Sequence, residues 1–253
     1  MELTDYARIA PYYDAVYGDY HDIGFYRNIA RQFGEPILEV ACGTGRVMLE
    51  LVKLGCEVGG VDSSKALLDV LRKKVEKLPA DEKGHIRVKQ ADMRDFQMER
   101  RYRLAIIPAS SLLHLPSTKD KEQCLRTVFE HVINGGKVAV DVYNPEAEGP
   151  EGHLKHASTR MDGDGKVISH FISSKFNRAA KTDNTYHFID VTDKAGATKR
   201  VTINYKFYYL FYKDLKKLLE DTGFRDVKLY GNYDLTPFDE RKSPRIIAVA
   251  TKE

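Results

Sequence analysis

The stretch ILEVACGTGR, residues 37–46, is an apolar run that ends abruptly in a turn with two glycines. Ile37 to Val40 are typical of a buried strand, and Gly43 and Gly45 interrupt the pattern two positions apart. Such a turn lets the backbone approach a ligand closely, and the free N–H groups of a following helix favour an electron-rich partner. The stretch therefore predicts a strand–turn–helix unit that binds a cofactor. Two glycines that serve only a tight turn are the simpler alternative.

Short apolar runs alternate with amphipathic segments along most of the chain. The expected strands are 36–41, 56–62, 85–90, 104–109, 137–143, 224–230 and 245–252. The expected helices are 64–78, 118–133, which starts at Ser117 and stops at Gly135–Gly136, and 212–222. This alternation predicts an α/β fold, a doubly wound and mostly parallel seven-stranded sheet with helices on both faces.

Two regions fall outside this alternation. Residues 1–34 are rich in tyrosine and predict an N-terminal helical lid, so the core of the fold comprises 35–145 and 212–253. Residues 146–211 begin in an expected linker, 144–157, and continue as a small antiparallel β insertion. The expected strands of the insertion are 165–177, 184–193 and 198–211.

The insertion has two candidate roles. Polar and apolar residues alternate in its strands, as in antiparallel strands with one face in water. Such a sheet serves either as a lid over an acceptor or as a surface for pairing with a second chain, because exposed strand edges invite pairing. A homodimer formed through the insertion is one expected partner arrangement.

Composition limits the classes of function. Forty Lys and Arg against 37 Asp and Glu give a net charge of +3, too balanced to indicate a nucleic-acid groove or a membrane-binding face. Three cysteines without a CxxC pair are typical of reduced thiols in a cytoplasmic protein, and no metal site is expected. No basic region followed by an apolar segment opens the sequence, so no secretory signal is expected.

Dinucleotides and S-adenosylmethionine compete as occupants of the glycine turn. The dinucleotide fingerprint G-x-G-x-x-G needs a third glycine, where this chain has Met48. Glu39 instead lies within the strand, four residues before Gly43. Asp62 ends the second strand, where a carboxylate accepts hydrogen bonds from ribose hydroxyls with either cofactor. An NAD-dependent oxidoreductase and a non-catalytic cofactor-binding or regulatory protein on the same fold remain alternatives.

Five motifs in order resemble the class I, Rossmann-like S-adenosylmethionine-dependent methyltransferases. They are LEVACGTGR (38–46), GVDSS (60–64), QADMRDF (90–96), LRTVFEHVINGGKVAVDVYNP (125–145) and LLEDTGFRDVKLY (218–230). The N-terminal YARIAPYYDAVYGDYHD (6–22) resembles the lid of small-molecule N-methyltransferases, including those that dimethylate amino-sugar nucleotides. The resemblance implies S-adenosyl-L-methionine as cofactor and in-line methyl transfer to a small-molecule acceptor, with an amine as the expected class.

The resemblance also implies roles for single residues. Along the cofactor it implies Ala41, Gly43 and Gly45 for the methionine part, Asp62 for the ribose, and Asp92, Ser63 and Met93 for the adenine. It also implies Pro108, Ala109 and Ser110 beside the methyl sulfonium, and Glu39 as a further cofactor-binding residue. A solvated turn residue is the simpler interpretation of Asp92.

Two further residues are candidates for catalysis. His114 follows the fourth strand, where a histidine acts as a general base at neutral pH, and Tyr13 in the lid would bring a hydroxyl to the cofactor. Packing or capping roles are the simpler alternatives for both. The fourth strand runs into PASS (108–111), not the Asn/Asp-Pro-Pro-aromatic motif of enzymes that methylate exocyclic amines of DNA bases, which argues against a nucleic-acid substrate.

Overall fold

The computed structural model describes residues 6–18, 21–147 and 152–253, which divide into two compact units. The first unit contains 6–18 and 152–209, and the second contains 21–147 and 210–253. The strands in chain order are β1 (Ile37–Val40), β2 (Val58–Asp62), β3 (Ile86–Gln90), β4 (Tyr102–Ile107), β5 (Val132–Tyr143), β6 (Lys155–Met161), β7 (Val167–Asn177), β8 (Thr182–Thr192), β9 (Thr198–Tyr208), β10 (Phe224–Tyr230) and β11 (Arg245–Lys252). The α-helices are α1 (Tyr13–Tyr17), α2 (Ile23–Phe33), α3 (Arg46–Val52), α4 (Lys65–Val75), α5 (Ala80–Gly84), α6 (Thr118–His131) and α7 (Tyr212–Thr222). Short 3-10 helices cover Tyr6–Arg8, Ala10–Tyr12 and Ser111–His114.

The second unit is built on a seven-stranded sheet with the strand order β3-β2-β1-β4-β5-β11-β10. Neighbouring strands are parallel except that β11 runs antiparallel to both β5 and β10. The predicted doubly wound, mostly parallel seven-stranded sheet is therefore confirmed. The strand order reverses between β1 and β4, and ligands of open α/β sheets bind beyond the carboxyl ends of strands at such a point.

The boundary between α6 and β5 follows from one helix cap and one strand pairing. The Ser117 hydroxyl caps α6 by accepting a hydrogen bond from the Asp120 N–H at 3.0 Å, as the sequence predicts. The strand predicted from residue 137 instead begins at Val132. It begins earlier because Val132 already pairs with Tyr102 of β4, ahead of a register shift.

Helix α2 packs on a face of the large sheet. Phe25, Tyr26 and Ile29 are fully buried and join a core cluster that includes Leu104 of β4 and Ile247 of β11. Burial of these side chains stabilises the unit through the hydrophobic effect. The expected lid, residues 1–34, thus contains one helix that belongs to the core.

The first unit is a four-stranded antiparallel sheet with the order β6-β7-β8-β9. Ile9 and Val16 from the N-terminal segment pack against Ile168, Ile189 and Ile203 on one face of this sheet. The predicted antiparallel insertion is confirmed, and its two candidate roles, acceptor lid and homodimer contact, stay predictions.

Strand β6 corrects the linker prediction. Residues 144–157 were expected to form a linker, yet Lys155 already pairs with Ile172 of β7. Most side chains of β6 are exposed, so an edge strand of this composition carries little apolar alternation. Residues 148–151 of the expected linker lie outside the described residues.

Candidate functional site

The turn after β1 contains three residues in the left-handed region within five positions. They are Ala41 with φ 61°, Gly43 with φ 53° and Gly45 with φ 78°. Glycine adopts this region at little cost, whereas alanine is strained there by about 1 kcal/mol. Gly45 is also the N-cap of α3. The turn is therefore a tight, preformed loop at the carboxyl end of the sheet, in which the N–H groups of Cys42, Gly43 and Gly45 are bonded within the protein.

The two glycines are required for different reasons. A Cβ on Gly45 would lie 2.4 Å from Cδ1 of Leu71, so this glycine allows α3 to pack closely on α4. A Cβ on Gly43 would lie 3.6 Å from Cδ1 of Leu67 and 3.9 Å from Oδ2 of Asp62, which is ordinary contact. The space at Gly45 is therefore taken by the core, and the prediction that both glycines lie at the cofactor stays a prediction.

Asp62, at the end of β2, is held rigidly by the backbone around it. Its Oδ2 accepts a hydrogen bond from the Gly43 N–H at 2.8 Å, and its Oδ1 accepts one from the Ser64 N–H at 2.8 Å. Burial raises the pKa of Asp62 above its usual value, and these two N–H groups act in the opposite direction. A carboxylate has about four acceptor positions, so capacity remains for two further donors.

Glu39 points a buried carboxyl group toward the same turn. The residue is 2% exposed, and within the described part of the chain its Oε2 has no hydrogen-bond partner. Burial raises the pKa of Glu39 to about 8, although the charge of Arg46 and the Met48 N–H lower it. An added cation would satisfy this oxygen and favour its ionised form.

Asp92 is already engaged by a neighbour. Its carboxylate accepts hydrogen bonds from Arg94 Nε at 3.0 Å and Nη2 at 2.7 Å, and Arg94 also bonds Asp120 at 2.8 Å. Arg94 holds the pKa of Asp92 below its usual value. Met93 beside it is half-buried, and Ser63 is exposed. The roles predicted for Asp92, Met93 and Ser63 at the adenine stay predictions.

The segment after β4 carries Pro108 and His114. Pro108 is buried, and its carbonyl accepts hydrogen bonds from the Ser111 N–H at 3.0 Å and the Ser111 hydroxyl at 2.7 Å. His114 ends the 3-10 helix that follows and is partly exposed. Desolvation lowers the pKa of His114 to about 4, so its imidazole is neutral at pH 7. The register pairs Glu39 with Ile106, so the turns after β1 and β4 start at the same level of the sheet.

Tyr13 lies in α1 of the first unit, within a cluster of aromatic rings. Its ring centroid is 4.7 Å from that of Tyr17. The Tyr17 hydroxyl is 3.0 Å from Nδ1 of His187, and Nε2 of His170 is 2.9 Å from the same nitrogen. The catalytic role predicted for Tyr13 stays a prediction.

Sequence reasoning missed a buried network on β5 and β11. Asp141 is 1% exposed and forms an ion pair with Arg245, and its Oδ2 accepts a hydrogen bond from the Tyr233 hydroxyl at 2.9 Å. An acidic residue inside the apolar run VAVDVY was the available signal.

No three His, Cys, Asp or Glu side chains in 6–18, 21–147 and 152–253 come together in a group that could hold a metal ion. Of the helices that the structure describes, none has the length and apolar character needed to cross a membrane.

The turn residues fit S-adenosylmethionine on structural grounds. The buried, unpartnered Oε2 of Glu39 suits a cationic group, and the cofactor carries an ammonium. The Asp62 carboxylate is oriented and keeps acceptor capacity for ribose hydroxyls. A dinucleotide would bring a pyrophosphate toward these carboxylates, which is less favourable electrostatically.

Comparison with known proteins identifies methyltransferases. Residues 37–136 match the model of a methyltransferase domain family. The cypemycin N-terminal methyltransferase of Streptomyces sp is 20% identical over 216 residues, which cover 85% of this chain and 83% of that protein. The dTDP-3-amino-3,4,6-trideoxy-alpha-D-glucopyranose N,N-dimethyltransferase of Streptomyces venezuelae is 30% identical over 127 residues, half of each chain.

The fold is also that of a solved methyltransferase. The structure of the CcbJ methyltransferase from Streptomyces caelestis superposes with a TM-score of 0.82 and 24% identity, covering 100% of this chain and 99% of that one. The oxidoreductase and non-catalytic alternatives find no support in these matches.

Proposed function

Because this chain is an S-adenosylmethionine-dependent methyltransferase that acts on a small molecule, we propose that the acceptor atom is the nitrogen of an amine. Two relatives support this proposal, since one is named as an N-terminal methyltransferase of cypemycin and the other as an N,N-dimethyltransferase of a dTDP-amino sugar. An amine nitrogen is the common feature of these acceptors. We take an amino-sugar nucleotide as the first acceptor to test.

The cofactor is held by the turn after β1 and by the end of β2. Asp62 binds the ribose hydroxyls, and Glu39 faces the ammonium of the methionine part. When bound, S-adenosylmethionine supplies an electrophilic methyl group, whose C–S bond breaks as the bond to the acceptor nitrogen forms, leaving S-adenosylhomocysteine. The chain's own contribution is alignment of the acceptor and acceptance of its proton.

His114 is the residue that we propose for this contribution. The observation that carries it is the position of His114 on the 3-10 helix directly after β4, beside the crevice at which the strand order reverses. Desolvation lowers the pKa of His114 to about 4, so the imidazole is neutral throughout the neutral range and has one ring nitrogen of the kind that accepts a hydrogen bond. Such a weak base orients the nitrogen lone pair and passes its proton to water without storing it.

The test replaces His114 by glutamine. His114→Gln is expected to lower kcat at least tenfold and to leave the affinity for S-adenosylhomocysteine within twofold, because the cofactor residues are untouched. Turnover is followed as S-adenosylhomocysteine formed from amino-sugar nucleotides and simple primary and secondary amines. His85→Gln, at the amino end of β3, is the matched control and should retain wild-type kcat.

Equal kcat for His114→Gln and wild type would contradict the role of His114 alone. A wild-type enzyme that methylates hydroxyl acceptors but no amine would contradict the proposed acceptor class. The pH profile offers a second check. We expect no loss of kcat from titration of His114 between pH 6 and 8, because a group with a pKa of about 4 does not titrate there.

A further inference from the structure

Two consecutive residues after β4 adopt a conformation that side chains disfavour. Ala109 has φ 53° and Ser110 has φ 62°, both in the left-handed region, and neither is glycine. Such residues persist only where the surroundings determine the backbone strongly, and they occur frequently at functional sites. Ala109 is exposed and Ser110 is 6% exposed, so the turn has one face open and one face fixed in the protein.

Asp141 binds the backbone of both strained residues. Its Oδ2 accepts a hydrogen bond from the Ala109 N–H at 3.1 Å, and its main-chain oxygen accepts one from the Ser110 N–H at 2.9 Å. One residue of β5 thus satisfies two consecutive N–H groups that the left-handed turn directs toward it. A shift of either φ toward the common region would break these bonds.

Arg245 of β11 also bonds to the turn. Its guanidinium pairs with the Asp141 carboxylate, and its Nη2 donates to Oγ of Ser110 at 3.1 Å. The same Oγ accepts a hydrogen bond from the Tyr143 N–H at 3.0 Å. Tyr233 donates its hydroxyl to Asp141, and its ring lies 5.3 Å from the Arg245 guanidinium carbon. We call Asp141, Arg245 and Tyr233 the clamp.

The clamp is poorly explained as a device for stability alone. Asp141 is 1% exposed and Arg245 is 15% exposed, so both charges are removed from water, and desolvation offsets much of their attraction. A buried ion pair of this kind fixes the positions of the groups bonded to it more reliably than it adds to the free energy of unfolding. The geometry here is that of the turn, because Oδ2 of Asp141 bonds to Ala109 and Nη2 of Arg245 bonds to Ser110.

The turn leads directly into the segment with the proposed proton acceptor. The Ser110 carbonyl accepts a hydrogen bond from the Leu113 N–H at 2.9 Å, so Ser110 starts the 3-10 helix that ends at His114. The backbone conformation of Ser110 therefore determines the direction of the 3-10 helix that carries His114. The strand order reverses next to this turn, between β4 and β1.

We propose that Asp141 and Arg245 are positioning residues for methyl transfer, which hold the left-handed Ala109–Ser110 turn and thereby aim the 3-10 helix of His114. This inference rests on the proposed function, because it deepens the account of the same site. The clamp contacts neither cofactor nor acceptor in this role. Its effect on the reaction passes through the backbone of the turn.

The first test compares Asp141→Asn with the wild type. The amide removes the charge and places an N–H group against donors, so the turn is expected to relax. We expect kcat to fall at least tenfold while KM for S-adenosylmethionine stays within twofold, since Asp62 and Glu39 are unchanged. Asp221→Asn breaks an exposed ion pair with Lys217 on α7 and is the matched control, with kcat unchanged.

A rescue variant separates positioning from loss of stability. Glycine adopts the left-handed region freely, so Ala109→Gly in the Asp141→Asn background should restore kcat at least threefold. Glycine also relieves backbone strain and so adds stability, and kcat is therefore taken per folded enzyme, with thermal unfolding of both variants measured alongside. A merely structural role of Asp141 predicts that kcat per folded enzyme in Asp141→Asn already equals that of the wild type. Tyr233→Phe, which removes one hydrogen bond from the clamp, serves if Asp141→Asn does not fold, and should lower kcat severalfold with the same KM.

Hydrogen exchange of residues 109–114 provides a readout without an acceptor. Asp141→Asn should exchange these amides at least tenfold faster than the wild type, and Asp221→Asn should not. Wild-type-like kcat and exchange in Asp141→Asn would overturn the inference. A wild type that methylates no amine would refute the proposed acceptor class, and the exchange data would still decide whether the clamp holds the turn.

Discussion

The two glycines of the β1 turn should respond differently to the same added methyl group. In Gly45→Ala, the left-handed φ of 78° costs about 1 kcal/mol, and a Cβ at 2.4 Å from Cδ1 of Leu71 overpacks a fully buried site. Overpacking costs about 1–3 kcal/mol, and the lower entropy of the unfolded chain offsets about 0.5–1 kcal/mol. We expect a net loss of about 1–3.5 kcal/mol in the free energy of unfolding.

Gly43→Ala carries the backbone strain without the clash. Its Cβ would meet Leu67 and Asp62 only at 3.6 and 3.9 Å, so the net loss should be about 0.5 kcal/mol at most. For a chain of this size each kcal/mol shifts Tm by about 2–4 °C, which predicts a fall of about 2–14 °C for Gly45→Ala and of about 2 °C at most for Gly43→Ala. The added methyl group of Gly43→Ala lies beside the Asp62 carboxylate, so cofactor affinity should fall at least tenfold.

Thermal unfolding and calorimetric titration with S-adenosylhomocysteine measure the two effects on the same samples. The reasoning predicts that the larger loss of Tm belongs to Gly45→Ala and a clear loss of affinity to Gly43→Ala. A Gly43→Ala protein that is less stable than Gly45→Ala, yet binds the cofactor normally, would refute the assignment of the two glycines.

Two predictions concern the hydrogen-bonded side chains of Tyr17, His170 and His187 in the first unit. Burial, followed by the charge of His156, lowers the pKa of His170 from 6.5 to about 4. Between these values the unfolded chain binds more protons than the folded one, so the free energy of unfolding of this unit should fall as the pH drops from about 6.5 to about 4. The loss reaches at most about 3 kcal/mol, and equal denaturation midpoints at pH 7.5 and pH 5 would contradict it. Tyr17→Phe removes the hydrogen bond to Nδ1 of His187 and should cost about 1 kcal/mol in chemical denaturation, and no change would show that this contact adds nothing to stability.

The large sheet could be predicted because its signals are local. Buried parallel strands are continuous apolar runs, as in residues 37–40, and the Ser117 cap marks the start of α6 within one turn of helix. Strand β6 could not be predicted in the same way. It is an edge strand with mostly exposed side chains, and pairing with β7, a non-local contact, defines it.

In the candidate site, too, single residues stand out in the sequence whereas their contacts do not. Glu39 was identified because an acidic residue inside an apolar strand is unusual, and Asp141 in VAVDVY gives the same signal. The sequence does not show which residues bind Asp141, because Arg245 and Tyr233 lie about one hundred residues away along the chain. Arg94 likewise occupies the Asp92 carboxylate, and two residues of separation on a turn do not predict that contact.

The most direct test of the account is calorimetric titration of the wild type and Asp62→Ala with S-adenosylmethionine, S-adenosylhomocysteine and NAD. The chain contains no tryptophan, which makes calorimetry preferable to intrinsic tryptophan fluorescence. The account predicts that the wild type binds both adenosyl ligands and not NAD, and that Asp62→Ala loses this binding while it remains folded. Binding of NAD alone, or full affinity for the adenosyl ligands in Asp62→Ala, would contradict the proposed cofactor site.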